Sequence, residues 1–333
     1  MKRRCLLYLS VVCLLLSPIG VKGGDWTVDG KTNCKVWNSS PQPNESISWS
    51  GECVDGYASG SGILVWYKDG KETARYEGQM KNGKCAGKGT HIWADGGKYE
   101  GDFADDNFHG KGTRTWANSD KYEGDFVDGK RTGKGTYTWG SKSQWAGDKY
   151  TGEFVDNKRT GKGIYIWADG DKYEGDFFED KKHGRGTLAW GPKSQWAGDK
   201  YTGDFVNDVR TGKGTYLWAK GGRYEGDFVN NKRTGRGIYV WPSGDRYEGD
   251  FVNDKEHGRG TYIWAGGDRY EGDFVNDNFH GKGIYIWVNG NRYEGDFVND
   301  KRHGKGTYIC RNGQRFTGDF QDGKPVGFTI RCN

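Results

Sequence analysis

The sequence is poor in the residues from which a protein core is ordinarily made. Hydrophobic residues are only 33% of the 333, a deficit that usually marks a disordered chain. Disorder is excluded because the 15 Trp, 20 Tyr and 15 Phe recur at fixed positions. The 58 glycines fall in the same register, so they do not form a flexible linker. Net charge is nearly missing as well. The formal charge is +5, but residues 1–23 hold Lys2, Arg3, Arg4 and Lys22 and no acid, which leaves +1 from Gly24 onward. A chain so balanced lacks the electrostatic motive for nucleic acid or for a polybasic membrane role. No apolar run spans a bilayer comfortably: Cys5 to Leu16 is too short. With three cations before it, and Val21 and Gly23 at −3 and −1 of a cleavage site, the segment 1–23 reads as a secretion signal, an uncleaved anchor being the alternative. The expected location is therefore outside the cytoplasm, periplasmic or secreted if the source is bacterial.

Catalytic patterns are absent too. No Ser/His/Asp arrangement is recognisable. Gly133-Lys134-Gly135-Thr136 lacks the Ser or Thr that must directly follow the lysine of a phosphate loop.

What is present is repetition. Tyr-Glu-Gly-Asp-Phe begins at Tyr99, Tyr122, Tyr173, Tyr224, Tyr247, Tyr270 and Tyr293. Near copies begin at Tyr76, Tyr150, Tyr201 and Phe316, and a worn one at Trp49. Most are 23 residues apart, the signature of a repeat architecture. Within one repeat, Tyr247 to Val252 alternates as a strand does. Asn253 to Gly258 reads as a polar loop, and Gly258 to Trp264 as the returning strand. Each repeat is thus one β-hairpin. If Asp250 lies opposite Arg259, then Phe251 faces Gly258, Gly249 faces Gly260 and Tyr247 faces Tyr262. One face then carries aromatics interleaved with glycines, and the other carries Glu248, Asp250, Arg259, Thr261 and Ile263.

This strand pair in a 23-residue unit closely resembles the MORN repeat family, over Trp49 to about Phe320. The resemblance implies an all-β fold: an elongated single-layer antiparallel sheet of about twelve tandem hairpins. It also implies a binding, scaffolding or dimerising role. Residues 24–48 would be an N-terminal cap segment, and 49–333 the array, with degenerate first and last repeats. The opening Cys34-Lys35-Val36-Trp37, Pro41, Pro43 and Trp49-Ser50-Gly51-Glu52-Cys53 is similar to that of exported bacterial MORN proteins. That likeness implies a Cys34–Cys53 disulfide.

Beyond Cys5 and Cys13 in the signal, five cysteines remain, gathered at the two ends where a repeat array frays. Export permits disulfides, and the odd number leaves one thiol over. Cys310 and Cys332 are one hairpin apart, but the in-step register places them on opposite faces, so pairing requires the end strand to slip. Cys85, in a hairpin loop, is the expected free thiol.

His109, His183, His257, His280 and His303 share one repeat position. Equivalent residues of adjacent hairpins stand about 9–10 Å apart, too far to share a zinc ion. The Glu-x-Asp pairs, such as Glu225 and Asp227, read as a solvated ion-pair ladder. No metal, cofactor or catalytic residue is expected. Two repeats run to 28 residues because of insertions bearing Trp145 and Trp196. These loops, with the aromatic face that includes Trp167, Trp218, Trp241, Trp264 and Trp287, are the expected binding surface. The expected function is non-enzymatic binding or scaffolding of a protein partner. A glycan on the aromatic face is the alternative, a phospholipid surface the second alternative, and self-association remains open.

Overall fold

The computed structural model describes residues 23–332. Apart from Gly23, the segment expected to be a secretion signal lies outside the described residues. All regular elements among them are β-strands, 27 in number, with no helix. They fall into two units, one ending at Ala94 and the other beginning at Asp95.

In the first unit β1 (Asp25–Val28) pairs antiparallel with β2 (Lys35–Asn38). Strands β3 (Glu45–Trp49) and β4 (Glu52–Val54) both lie against the long β5 (Tyr57–Lys68). The chain then continues by hairpins into β6 (Lys71–Lys81) and β7 (Lys84–Trp93). Cys34 and Cys53 are disulfide-bonded, with Cα atoms 5.6 Å apart. Trp49 shows why the worn first copy still folds. A Cβ on Gly51 or Gly62 would stand 2.3 or 2.5 Å from its ring, so the indole lies directly on two bare glycines. Its Nε1–H donates to the Glu52 carbonyl at 2.8 Å. Tyrosine does both jobs in the regular repeats.

The second unit is an antiparallel meander of hairpins, each strand paired with its sequence neighbours. In the hairpin Arg246–Val252/Lys255–Ile263, Tyr247 pairs with Tyr262 and Gly249 with Gly260, as the alternation requires. The rest of the expected register is corrected. Asn253 and Asp254 have φ of 51° and 70° and form a two-residue turn of the type that favours Asn, Asp and Gly. The loop is therefore two residues long and does not reach Gly258. The slack is taken up by a bulge at Gly258, whose φ is 62°. Asp250 consequently pairs with His257, and Phe251 with Glu256. Phe251 lies opposite Gly235 of the preceding hairpin instead. Arg259 forms its ion pair at 3.4 Å with Asp273 of the following hairpin, not with Asp250. The Asp250 carboxylate instead accepts the Arg259 backbone N–H within the bulge.

The core is one ring thick. Tyr99, Tyr122, Tyr150, Tyr173, Tyr201, Tyr224, Tyr247, Tyr270 and Tyr293 are fully buried although the sheet has no second layer. Each ring covers two glycines and meets the Phe of its own strand edge-on. Tyr224 and Phe228 are 5.2 Å apart at 89°, and Phe251 of the next hairpin is 5.1 Å away. Such pairs are worth about 0.5–1.5 kcal/mol each beyond area burial. The hydroxyl donates to the carbonyl three residues on, as in Tyr224 to Asp227 at 3.0 Å.

What closes this layer from above was missed in the sequence. Because the returning strand begins at Lys255 and its equivalents, the next residue points back onto the aromatic face. That column reads Phe108, Arg131, Arg159, Lys182, Arg210, Arg233, Glu256, Phe279 and Arg302. The Arg233 guanidinium stands 5.6 Å from the Tyr224 ring, 5.1 Å from Tyr239 and 5.3 Å from Phe251. Its Nη2 donates to the Asp254 carbonyl. Phe108 stacks on Tyr99 at 3.8 Å, and Phe279 on Tyr270 at 3.9 Å.

Two rows of carboxylates and amides bind each hairpin to the next. At the hairpin tips, Oδ1 of Asn157, Asp180, Asp208, Asn231, Asp254 and Asp277 accepts a backbone N–H from the preceding hairpin at 2.8–3.0 Å. At the opposite edge, Asp148, Asp199 and Asp268 each accept a tyrosine O–H and a backbone N–H of the following hairpin. The glutamates pair with the base two residues earlier, as Lys98 with Glu100 at 2.8 Å. Both partners there are well exposed, so this row contributes little.

At the C-terminus, Arg315–Gln321 is met by only a two-residue strand, Lys324–Pro325. The chain then leaves the sheet, and the Phe328 ring settles over Gly318. Cys310 and Cys332 are disulfide-bonded, Cα to Cα 5.6 Å. The objection from opposite faces assumed a full returning strand, and none forms beyond Pro325. Cys85 is buried and takes part in neither disulfide. It sits in β7 on the aromatic face, not in a loop, because the turn before it is again short.

Candidate functional site

The two insertions are the places where the array departs from its own rule, and they depart identically. After Trp139, Ser143 donates its N–H to Gly140, Ala146 to Ser143, Gly147 to Trp139 and Asp148 to Trp145. After Trp190, the same four bonds join Ser194 to Gly191, Ala197 to Ser194, Gly198 to Trp190 and Asp199 to Trp196. The Ser143 and Ser194 hydroxyls each accept the N–H of the following tryptophan at 3.4 Å. Both loops are thus built, not slack.

Their bases are anchored. Asp148 is 5% exposed and holds the Tyr165 hydroxyl at 2.5 Å and the Ala168 N–H at 2.8 Å. Asp199 does the same with Tyr216 at 2.6 Å and Ala219 at 2.9 Å. Burial, and then the adjacent carboxylate, push both tyrosine hydroxyls well above their ordinary range, so they remain hydrogen-bond donors. Over these fixed bases Trp145 and Trp196 are 54% and 52% exposed. Both insertions lie at the edge where one hairpin hands over to the next. Four strands separate them, roughly 19 Å.

The other tryptophans expected at the surface have structural company. Trp167 lies 4.6 Å from Tyr165, and Trp218 lies between Tyr216 at 4.6 Å and Tyr239 at 5.1 Å. Trp241, Trp264 and Trp287 alternate in the same way with Tyr239, Tyr262, Tyr285 and Tyr308. All five are half-buried. They form a Trp–Tyr ladder along the aromatic face and leave only their outer edges to solvent.

The histidines do not converge, and no group of three or more His, Cys, Asp or Glu among the described residues is placed to hold a metal ion. Nδ1 of His109, His183, His257 and His280 is buried without a hydrogen-bond partner among the described residues. On the face opposite the aromatics, shallow grooves open over paired glycines. One is lined by Arg236, Glu248, Arg259, Thr261, Glu271 and Lys282, most of them committed to ion pairs. The hairpin tips carry a row of exposed apolar residues that the alternation had hidden, including Val127, Val155, Phe178, Val206 and Val229. Their shared repeat position, directly after the Phe of each copy, was the available signal. No helix among the described residues is long and apolar enough to cross a membrane.

Fold and site together define a β-hairpin repeat protein whose regular residues hold one another and whose irregular ones face outward. The chain belongs to the MORN repeat family. Ten copies of the repeat match, at 76–98, 99–121, 122–144, 150–172, 173–195, 201–223, 224–246, 247–269, 270–292 and 293–315. No curated protein matches the sequence. Among solved structures, the TCP domain of SAS-4 from Drosophila melanogaster, in complex with a proline-rich motif of Ana2, is 13% identical. That match covers 49% of this chain and 90% of that one, with a TM-score of 0.30. The TCP10 domain of Danio rerio CPAP is 9% identical over 69% of this chain and 98% of that one, with a TM-score of 0.31. At these scores neither likeness carries a functional argument.

Proposed function

We propose that the protein is an exported, non-catalytic scaffold that binds a protein partner through Trp145 and Trp196. The observation that carries this reading is the duplicated insertion. Two loops with the same hydrogen bonds and the same buried aspartate each hold a tryptophan half in water. Rigid, exposed aromatics supply contact area at low entropic cost, and ordering has already been met by the fold. Two such contacts on one scaffold act together, so a partner engaging both gains by effective concentration. Membership of the MORN family supports a binding or scaffolding role. The two disulfides and the secretion-signal pattern of residues 1–23 support export.

The test is capture from the envelope and secreted fractions of the parent cell, using the mature chain and its Trp145→Ala/Trp196→Ala variant. The wild-type chain is expected to retain one dominant protein, and the variant to lose at least tenfold of it with an unchanged melting temperature. Equal recovery by both would remove the two loops from the account. A glycan array run beside it distinguishes a sugar ligand, which would quench tryptophan fluorescence without a captured protein.

A further inference from the structure

We propose that the aromatic face at Glu256 is a binding site for a guanidinium group, filled by an arginine side chain of a partner protein. This site is separate from the Trp145 and Trp196 loops and does not rest on them.

The array itself shows how the site works. At this repeat position Arg131, Arg159, Arg210, Arg233 and Arg302 each place a guanidinium over the tyrosine that opens their own hairpin. For Arg159 the frame is Trp139 at 6.0 Å, Tyr150 at 5.6 Å, Tyr165 at 5.1 Å and Phe177 at 5.7 Å. The carbonyl of Asp180 accepts from Nη2 at 2.7 Å, and its carboxylate pairs with Nε at 3.0 Å. Rings above and below, a carbonyl and a carboxylate satisfy the charge, the planarity and the donors of arginine.

The equivalent frame around residue 256 is Trp241, Tyr247, Tyr262 and Phe274, with Asp277 in the place of Asp180. Its rings keep the spacing found around Arg159. Trp241 and Tyr262 are 5.1 Å apart at 39°, against 5.2 Å and 47° for Trp139 and Tyr165. Tyr247 and Phe274 are 4.9 Å apart, against 5.0 Å for Tyr150 and Phe177. The backbone staple is also kept, from Glu256 N–H to Asp277 Oδ1 at 2.8 Å. Only the guanidinium is replaced, by the shorter carboxyl side chain of Glu256.

That carboxylate is the second observation. Glu256 is 6% exposed, and no described residue donates a hydrogen bond or forms an ion pair with its side chain. Asp180, Asp208 and Asp254 are each paired with the cation of the preceding hairpin. Asp277 and Asp300 meet Glu256 and Phe279 at that place and form no ion pair among the described residues. Both raise the proton affinity of Glu256 further, after burial has raised it most. Arg233, the cation whose charge acts on Glu256, is already held by Asp254. Glu256 in the frame, and the exposed Asp277 and Asp300 beside it, thus lack the cation that most sister repeats carry, and a cation placed there would let Glu256 ionise. The chemistry that satisfies them is planar, aromatic-stacking and multiply donating. It is a guanidinium before an ammonium.

The probe is a blocked Gly-Arg-Gly peptide, titrated into the full mature chain and followed by tryptophan fluorescence and by the indole N–H resonance of Trp241. Saturable binding is expected, with the isosteric citrulline peptide at least tenfold weaker. Glu256→Arg fills the frame from within, as in the sister repeats, and is expected to abolish binding while raising the melting temperature. Glu256→Gln keeps the shape and is expected to weaken binding severalfold. Trp145→Ala/Trp196→Ala is expected to bind the peptide as wild type does. Equal binding of the arginine and citrulline peptides, or undiminished binding by a folded Glu256→Arg chain, would overturn the proposal.

Discussion

Gly237→Ala is expected to destabilise the second unit by about 3 kcal/mol, at the upper end of what overpacking costs. A Cβ at this position would stand 2.5 Å from both Cε2 and Oη of Tyr224 and 2.7 Å from Cζ. The ring cannot retreat. It is fully buried, its hydroxyl is bonded to the Asp227 carbonyl, Phe228 and Phe251 flank it edge-on, and the Arg233 guanidinium lies over it. Gly237 does not have a left-handed backbone, so the loss is steric and not conformational. Two controls separate this from a general intolerance of alanine. Gly266→Ala meets no atom within 4 Å and should shift stability by less than about 0.5 kcal/mol. In the Tyr224→Ala/Gly237→Ala double variant, the second substitution should cost almost nothing, because the ring it would strike is gone. Urea unfolding of wild type, Gly237→Ala, Gly266→Ala, Tyr224→Ala and the double variant measures all of these terms.

A second large effect is expected from pH. Burial, then the neighbouring Asp277, push the Glu256 carboxyl up from 4.5 to about 8. The folded chain therefore binds this proton more tightly than the unfolded chain does. The contribution to stability is fully present below about pH 4.5 and is lost progressively as pH rises toward 8. At about 1.4 kcal/mol per unit, the loss is on the order of 3–5 kcal/mol for a group this deeply buried. Glu256→Gln should remove that slope, leaving a flatter stability profile between pH 5 and 9 and a more stable chain at the alkaline end. Parallel profiles of wild type and variant would show that Glu256 is solvated and ionised in the folded protein. Arginine binding should act in the same direction as the substitution, since a guanidinium beside Glu256 favours its ionised form.

How much of this was readable in the residues depends on the range over which each feature is decided. Tyr247 opposite Tyr262 and Gly249 opposite Gly260 follow from period-two alternation, a local property, and both were legible. The worn copy at Trp49 was recognisable because an indole can do what the tyrosine does over Gly51 and Gly62. The bulge at Gly258 was not legible. It depends on a left-handed backbone at one glycine among many, and without it Glu256 and its equivalents read as loop. That single shift concealed the column that roofs the aromatic layer. It also hid Cys85 in the same column and reassigned Arg259 from Asp250 to Asp273. The aspartate staples were hidden for a related reason. Asp148 is tied to Tyr165 and Ala168 only after two hairpins are in register with each other, a relation that no single repeat contains. Cys310 and Cys332 needed knowledge that the last strand stops at Pro325. The exposure of Trp145 and Trp196 was legible because an insertion has nowhere to go but outward.

These observations divide the surface into residues that hold the array and residues left free to recognise something. Hydrogen exchange of the mature chain, alone and saturated with the protein it captures, tests that division most directly. Added protection is expected in 140–148 and 191–199, with the strands 223–240 and 269–286 unchanged. Protection spread evenly along the strands, with both insertions unaffected, would contradict it.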